Sequence, residues 1–159
     1  MGISDTGVVT GWFQSNGNVQ HGFVRSADGT VNIFDPSDSH YTYVFAINSA
    51  GSIVGEYNDA SGVPIGYLRD AAGNFTEFAV TNETGATTNN FGTNDKGAVV
   101  GTFYLPVEDT AVTFERKPSG KIIKLKRPGP TTAQAINNHG VIAGTYYLDG
   151  IVHGFLRTP

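Results

Sequence analysis

Two pairs of side chains in this sequence have the types that acid–base and anion chemistry need. They are His21 with Arg25 in HGFVR, and His153 with Arg157 in HGFLR. An imidazole titrates near neutrality and can pass a proton, while a guanidinium clamps an anion through parallel hydrogen bonds. In an extended strand the four-residue spacing puts both side chains on one face, roughly 13 Å apart, too far for a direct hydrogen bond. His40, and Glu56 as the acid, would complete a hydrolase or lyase set assembled from distant parts of the chain. No G-x-S-x-G elbow or phosphate-binding glycine loop accompanies them. Glu108 and Asp109 adjoin each other, but neighbours in an extended chain point to opposite faces.

A second group of residues suits binding rather than catalysis. Trp12 is the only tryptophan, and an aromatic face offers an apolar, geometrically specific platform for a sugar or base. Tyr43 with Phe45, Asn89 with Phe91, and Thr132 with Gln134 interleave rings with amides and hydroxyls, which donate and accept without charge. That mixture fits a neutral, hydroxyl-rich ligand. Metal chemistry has less support. His21, His40, His139 and His153 lack zinc-like spacing, and the NDASG and NDKG loops at Asn58 and Asn94 lack the alternating acids of a calcium loop. No cofactor motif is present, and with no cysteines there is no thiolate site or disulfide framework.

The elements that must position these residues repeat. ISDTGVVTGWF at Ile3 recurs as INSAGSIVGEY at Ile47, TNDKGAVVGTF at Thr93 and INNHGVIAGTY at Ile136, with starts 44, 46 and 43 residues apart. About 18 residues into each copy stands HGFVR, IGYLR, VTFER or HGFLR. A glycine turn and a third alternating run follow in the first three copies. Short alternating runs between Asn, Asp, Gly and Pro turns predict strands and hairpins, and no segment sustains a helical period. Four strands in 40 to 45 residues is the size of one β-propeller blade. Framed on YTYVFAINSAG as an innermost strand and its turn, the chain holds two whole blades between an incomplete first and an incomplete last one.

The I-N-x-x-G-x-[IV]-[VA]-G-x-[YF] pattern followed by H-G-F-[VL]-R resembles the bacterial extracellular repeats of the HAF type and their propeller-like relatives. The resemblance spans nearly the whole chain; the third copy departs from it at VTFER and in a loop lengthened by YLPVED. It implies a propeller-like fold and an extracellular or cell-surface location, but no activity.

Residues common to all copies read as scaffold. Gly7, Gly51, Gly97 and Gly140 are expected at positive φ, and Gly11, Gly55, Gly101 and Gly144 at close approaches of neighbouring sheets. The simplest role for the His and Arg pairs is likewise structural. Trp12 departs from the pattern, standing where the other copies carry Glu56, Thr102 and Thr145.

Charge is unevenly spread. Residues 1–115 hold three Lys/Arg against thirteen Asp/Glu, and residues 116–159 hold seven against one. Six of the basic residues are Arg116, Lys117, Lys121, Lys124, Lys126 and Arg127. They could form a polyanion patch, but the run lacks interleaved aromatics, the rest of the chain repels a polyanion, and lysines on an outer strand also discourage edge pairing. Nucleic acid is therefore disfavoured. No membrane span or signal peptide is present in this stretch.

The sequence thus predicts one all-β, propeller-type domain over residues 1–159, built from about four repeats of 43–46 residues with antiparallel four-stranded blades. The expected function is a non-catalytic binding or assembly module contacting carbohydrate or an extracellular polymer through Trp12, Tyr43, Phe45, Asn89, Phe91 and Gln134. The expected partner besides the glycan is a second copy, or the chain's own other end in a self-closing ring. The alternatives are a small propeller-type lyase or hydrolase using His21, His40 or His153 with Glu56, and a fragment of a longer repeat array.

Overall fold

The computed structural model describes residues 1–80, 85–125 and 129–159. Among these the regular structure is fifteen strands, with no helix. The first unit comprises β1 (Gly2–Ile3), β2 (Val9–Gln14), β3 (Gln20–Arg25) and β4 (Val31–Phe34). The second comprises β5 (Tyr41–Ile47), β6 (Ile53–Asn58), β7 (Pro64–Arg69) and β8 (Phe75–Phe78). The third holds β9 (Thr87–Thr93), β10 (Val99–Leu105), β11 (Thr110–Arg116) and β12 (Ile122–Leu125), and the fourth β13 (Thr131–Ile136), β14 (Ile142–Leu148) and β15 (Ile151–Arg157). Within each unit, sequence neighbours pair antiparallel, so one copy of the repeat is one meander.

A single parallel pair, Gln20 with Tyr41, joins the first two units into one sheet; the third and fourth are separate sheets. The first strands β1, β5, β9 and β13 adjoin in succession. No strand pairing returns from the fourth unit to the first among the described residues. The all-β class expected from the sequence is therefore what the structure has, and a closed ring is not found.

The two recurring glycines have different causes. The first closes the turn after each inner strand: Gly51 sits at φ 80° and Gly97 at φ 77°, a left-handed conformation that costs other residues a steric penalty. Its N–H donates to the carbonyl of the Asn three residues earlier, 3.0 Å from Gly51 to Asn48 and 2.9 Å from Gly97 to Asn94. The second glycine does not answer to a neighbouring sheet as expected. A Cβ at Gly55 would collide with the carbonyl of Tyr43 and the ring of Tyr67, and one at Gly101 with the carbonyl of Asn89 and the ring of Phe114. Both obstacles belong to the glycine's own unit.

That inner-strand carbonyl is pushed inward by a bulge. The register of β5 on β6 shifts between Val44 and Ala46, that of β9 on β10 opposite the Val100/Gly101 step, and that of β13 on β14 between Ala133 and Ala135. The residues left over at the shifts are Phe45, Phe91 and Gln134. A bulge bends its strand and re-aims the extra side chain.

Between units the front face of each meander packs on the rear of the one before. Ile47, Ile53, Tyr57 and Tyr67 of the second unit bury against Phe34, Val8 and Val24 of the first, and Phe103 and Phe114 of the third meet Phe78 of the second. Burying these apolar side chains contributes about 1.5–3 kcal/mol each, the main favourable term in the fold.

The last residue of each HGF-R motif locks the junction. The Arg69 guanidinium lies 4.6 Å from the centre of the Phe34 ring and that of Arg116 5.1 Å from Phe78. At the third junction Arg157 Nη1 instead donates to Glu115 Oε2 at 2.9 Å, and Lys117 Nζ donates to Glu115 Oε1 at 2.5 Å. Glu115 is fully buried, so its charge needs both partners. Much of the basic run is thus occupied locally: Lys124 Nζ sits 4.7 Å over the Phe103 ring. Lys126 and Arg127 lie outside the described residues.

Candidate functional site

The inner strands carry three levels of side chains. At the turn level, Ile3 to Asp5, Ile47 to Ser49, Thr93 to Asp95 and Ile136 to Asn138 surround one concavity of about 260 Å³. A hydrogen-bond ladder links the turns. Asn48 Nδ2 donates to the Asn94 carbonyl at 2.8 Å, and Asn94 Nδ2 to the Asn137 carbonyl at 3.0 Å. One residue on, the Ser49 N–H donates to Asp95 Oδ1 at 2.7 Å and the Asp95 N–H to Asn138 Oδ1 at 2.9 Å. The Ser49 N–H, and Asn138 Nδ2 donating to Asp95 Oδ2 at 2.6 Å, hold the Asp95 carboxyl below its ordinary range. At the bulge level, Phe45 and Phe91 meet with ring centres 5.7 Å apart, and Gln134 is exposed at the equivalent place.

The third level is where the sequence-predicted platform falls. Tyr43 stands directly opposite Glu56 in the ladder, Asn89 opposite Thr102, and Thr132 opposite Thr145. Trp12 of the first unit meets Tyr43 of the second edge to face, with ring centres 5.3 Å apart and planes at 79°. Trp12 keeps 39% of its surface exposed. The structure thus brings Trp12 and Tyr43 together across the junction of the first two units, with Glu56 beside Tyr43 in the ladder of the second unit. Phe45 and Phe91 pair one level away, and Gln134 and Asn89 belong to the third and fourth units.

Glu56 is electrostatically unusual. Burial without a compensating partner raises its pKa from 4.5 to about 7, and Oε2 has no hydrogen-bond donor. Gln20, on the same face of β3 as the residue opposite Trp12, likewise has a buried Oε1 without a donor. Both of these buried acceptor oxygens are unmet by protein.

The histidines are placed apart. His21 Nδ1 lies 2.7 Å from Asp35 Oδ2, and Thr42 Oγ1 donates to Asp35 Oδ1 at 2.6 Å. His21 is opposite Phe13 and Trp12 opposite Gly22, so His21 and Trp12 project from opposite faces of the sheet. His153 stacks on Tyr146 with ring centres 5.0 Å apart, while His40 is exposed. Among the described residues no hydrogen bond or ion pair joins these histidines to one another or to Glu56. Sequence reasoning missed Asp35 and Thr42, which meet only because β4 leads back to β5. It also missed the inter-turn ladder, whose one visible trace is the Asn recurring at the second position of three of the four motifs.

The fold defines an all-β class of repeated antiparallel meanders that carry copy-specific residues on the first and second strands of each unit. Compared with protein-family models and with curated proteins, the chain matches none.

Proposed function

We propose that the chain is a non-catalytic binding module on a β-propeller-like scaffold, taking a neutral, hydroxyl-rich ligand such as a glycan against Trp12. The observation that carries this reading is the Trp12 ring, two-fifths exposed yet braced edge-on by Tyr43. A braced ring loses little freedom when a sugar face stacks on it. Gln20 lies on the same sheet face as Trp12, and Glu56, paired with Tyr43 in the ladder, is half protonated near neutrality. Four turns around one concavity support reading the units as blades. Extracellular placement follows only the resemblance of the repeat motifs.

Titration of the protein with a panel of neutral oligosaccharides, read by Trp12 fluorescence, tests this. Saturable quenching is expected, together with loss of binding by Trp12→Ala when the same sugars are titrated calorimetrically, and no response of the wild type to any of them would overturn the reading.

The alternative of a lyase or hydrolase draws on Glu56 and on the His21–Asp35 pair, which has the geometry of an oriented base. It is the weaker reading, because Trp12 and His21 lie on opposite faces of one sheet.

A further inference from the structure

The three junctions between units share one construction, and the same two surfaces recur uncovered on the outer sides of the first and fourth units. Ile47 and Ile136, which begin the front faces of the second and fourth units, are 9% and 8% exposed, while Ile3 at the same position of the first unit is 70% exposed. Tyr57 and Phe103 are buried in front faces; Phe13, their counterpart, is exposed. Ile33, opposite Phe23 on the same front face, is 60% exposed. On rear faces, Val24 packs into a core cluster and Glu115 is buried, but Leu156 at that position of the fourth unit is 72% exposed, and Val152 on the same face 67%.

We propose that these two faces are the halves of one interface, filled by a second copy of this chain docked head to tail, the rear of its fourth unit on the front of the first. The argument is continuity. Every internal junction joins a front face to a rear face, and at Ile3, Phe13 and Leu156 the outer faces carry apolar side chains where the first junction carries Ile47, Tyr57 and Val24. Exposed apolar surface of this extent marks an interaction site in a folded protein. Because front meets rear, the contact is heterologous, so each copy keeps one face free unless a ring closes.

Sedimentation velocity of the full chain over a wide concentration range, at low and high salt, tests the proposal alongside Ile3→Glu and Leu156→Lys. Both side chains are exposed, so circular dichroism should show both variants folded. Wild type should associate with rising concentration, and either variant should weaken association by roughly tenfold or more, since Ile3→Glu would bury a charge without a partner and Leu156→Lys would set a cation against Arg25, at the position where Glu115 meets Arg157. The decisive sample is an equimolar mixture of the two variants. One intact front and one intact rear remain between them, so the mixture should form dimers and nothing larger. Wild type that stays monomeric throughout would overturn the proposal. So would association that both variants leave unchanged, or a mixture that behaves as the sum of its parts.

Discussion

Arg69 of the second unit lies over Phe34 of the first, its guanidinium carbon 4.6 Å from the ring centre. Arg116 repeats the contact on Phe78, and Arg157 replaces it with an ion pair to Glu115. The arginine that the sequence offers as an anion clamp is therefore a clasp between units. A desolvated cation over a ring contributes about 1–2 kcal/mol. Arg69→Ala should lower the unfolding free energy by about that amount in urea denaturation. Arg69→Lys should recover only part of it, because an ammonium lacks the planar stacking surface. A variant as stable as wild type would show that apolar burial alone holds the junction.

The turn ladder should be more sensitive. Asn94 is buried, donates to the Asn137 carbonyl, and accepts from the N–H groups of Lys96 and Ala98. Asn94→Ala strands three polar groups at once and should cost about 2–3 kcal/mol. Asn137 also accepts two N–H groups but is exposed, so water replaces its side chain. Asn137→Ala should cost less than half as much in the same assay.

Glu56 makes stability depend on pH in an uncommon direction. Its folded pKa of about 7 lies above the ordinary 4.5, so between those values the folded state holds a proton that the unfolded state has lost. Stability from this group is full below 4.5, declines as pH rises toward about 7, and is then flat. At about 1.4 kcal/mol per pH unit the ceiling is roughly 3 kcal/mol. Glu56→Gln should flatten that part of the profile, measured as melting temperature from pH 4 to 8. Equal slopes in the two proteins would mean that Glu56 is solvated.

The repeat made the strands legible because each needs only local signals: alternation, a turn Asn, and a glycine that must take positive φ, as Gly51 and Gly97 do. The bulges at Phe45, Phe91 and Gln134 were not legible, since an extra residue in one strand shows only against the register of its partner. For the same reason Gly55 was assigned to a sheet–sheet contact when its own inner strand fills the space. Trp12 stood out by breaking the repeat, and Tyr43 by its place in an inner strand. Their contact crosses units and depends on how one meander leans on the next, which no local pattern encodes. The same limit hid Asp35, whose two partners come from strands on either side of it.

The Trp12–Tyr43 contact separates a binding role from a packing role. An edge-to-face pair adds about 0.5–1.5 kcal/mol beyond area burial, so Tyr43→Ala should lower stability modestly and let the Trp12 ring reorient. If the ring is the platform for a glycan, losing the brace should weaken binding by roughly two- to tenfold, the same energy read as affinity. Tyr43→Phe keeps the edge contact and should bind as wild type does. Trp12→Ala should remove binding altogether while leaving the core of the second unit intact, because Trp12 is not part of the cluster in which Val44, Ile53 and Tyr67 pack. Isothermal titration of the four proteins with one oligosaccharide gives the ranking directly. If Tyr43→Ala binds as tightly as wild type, the brace is a packing contact only, and the ligand site lies elsewhere on the inner strands.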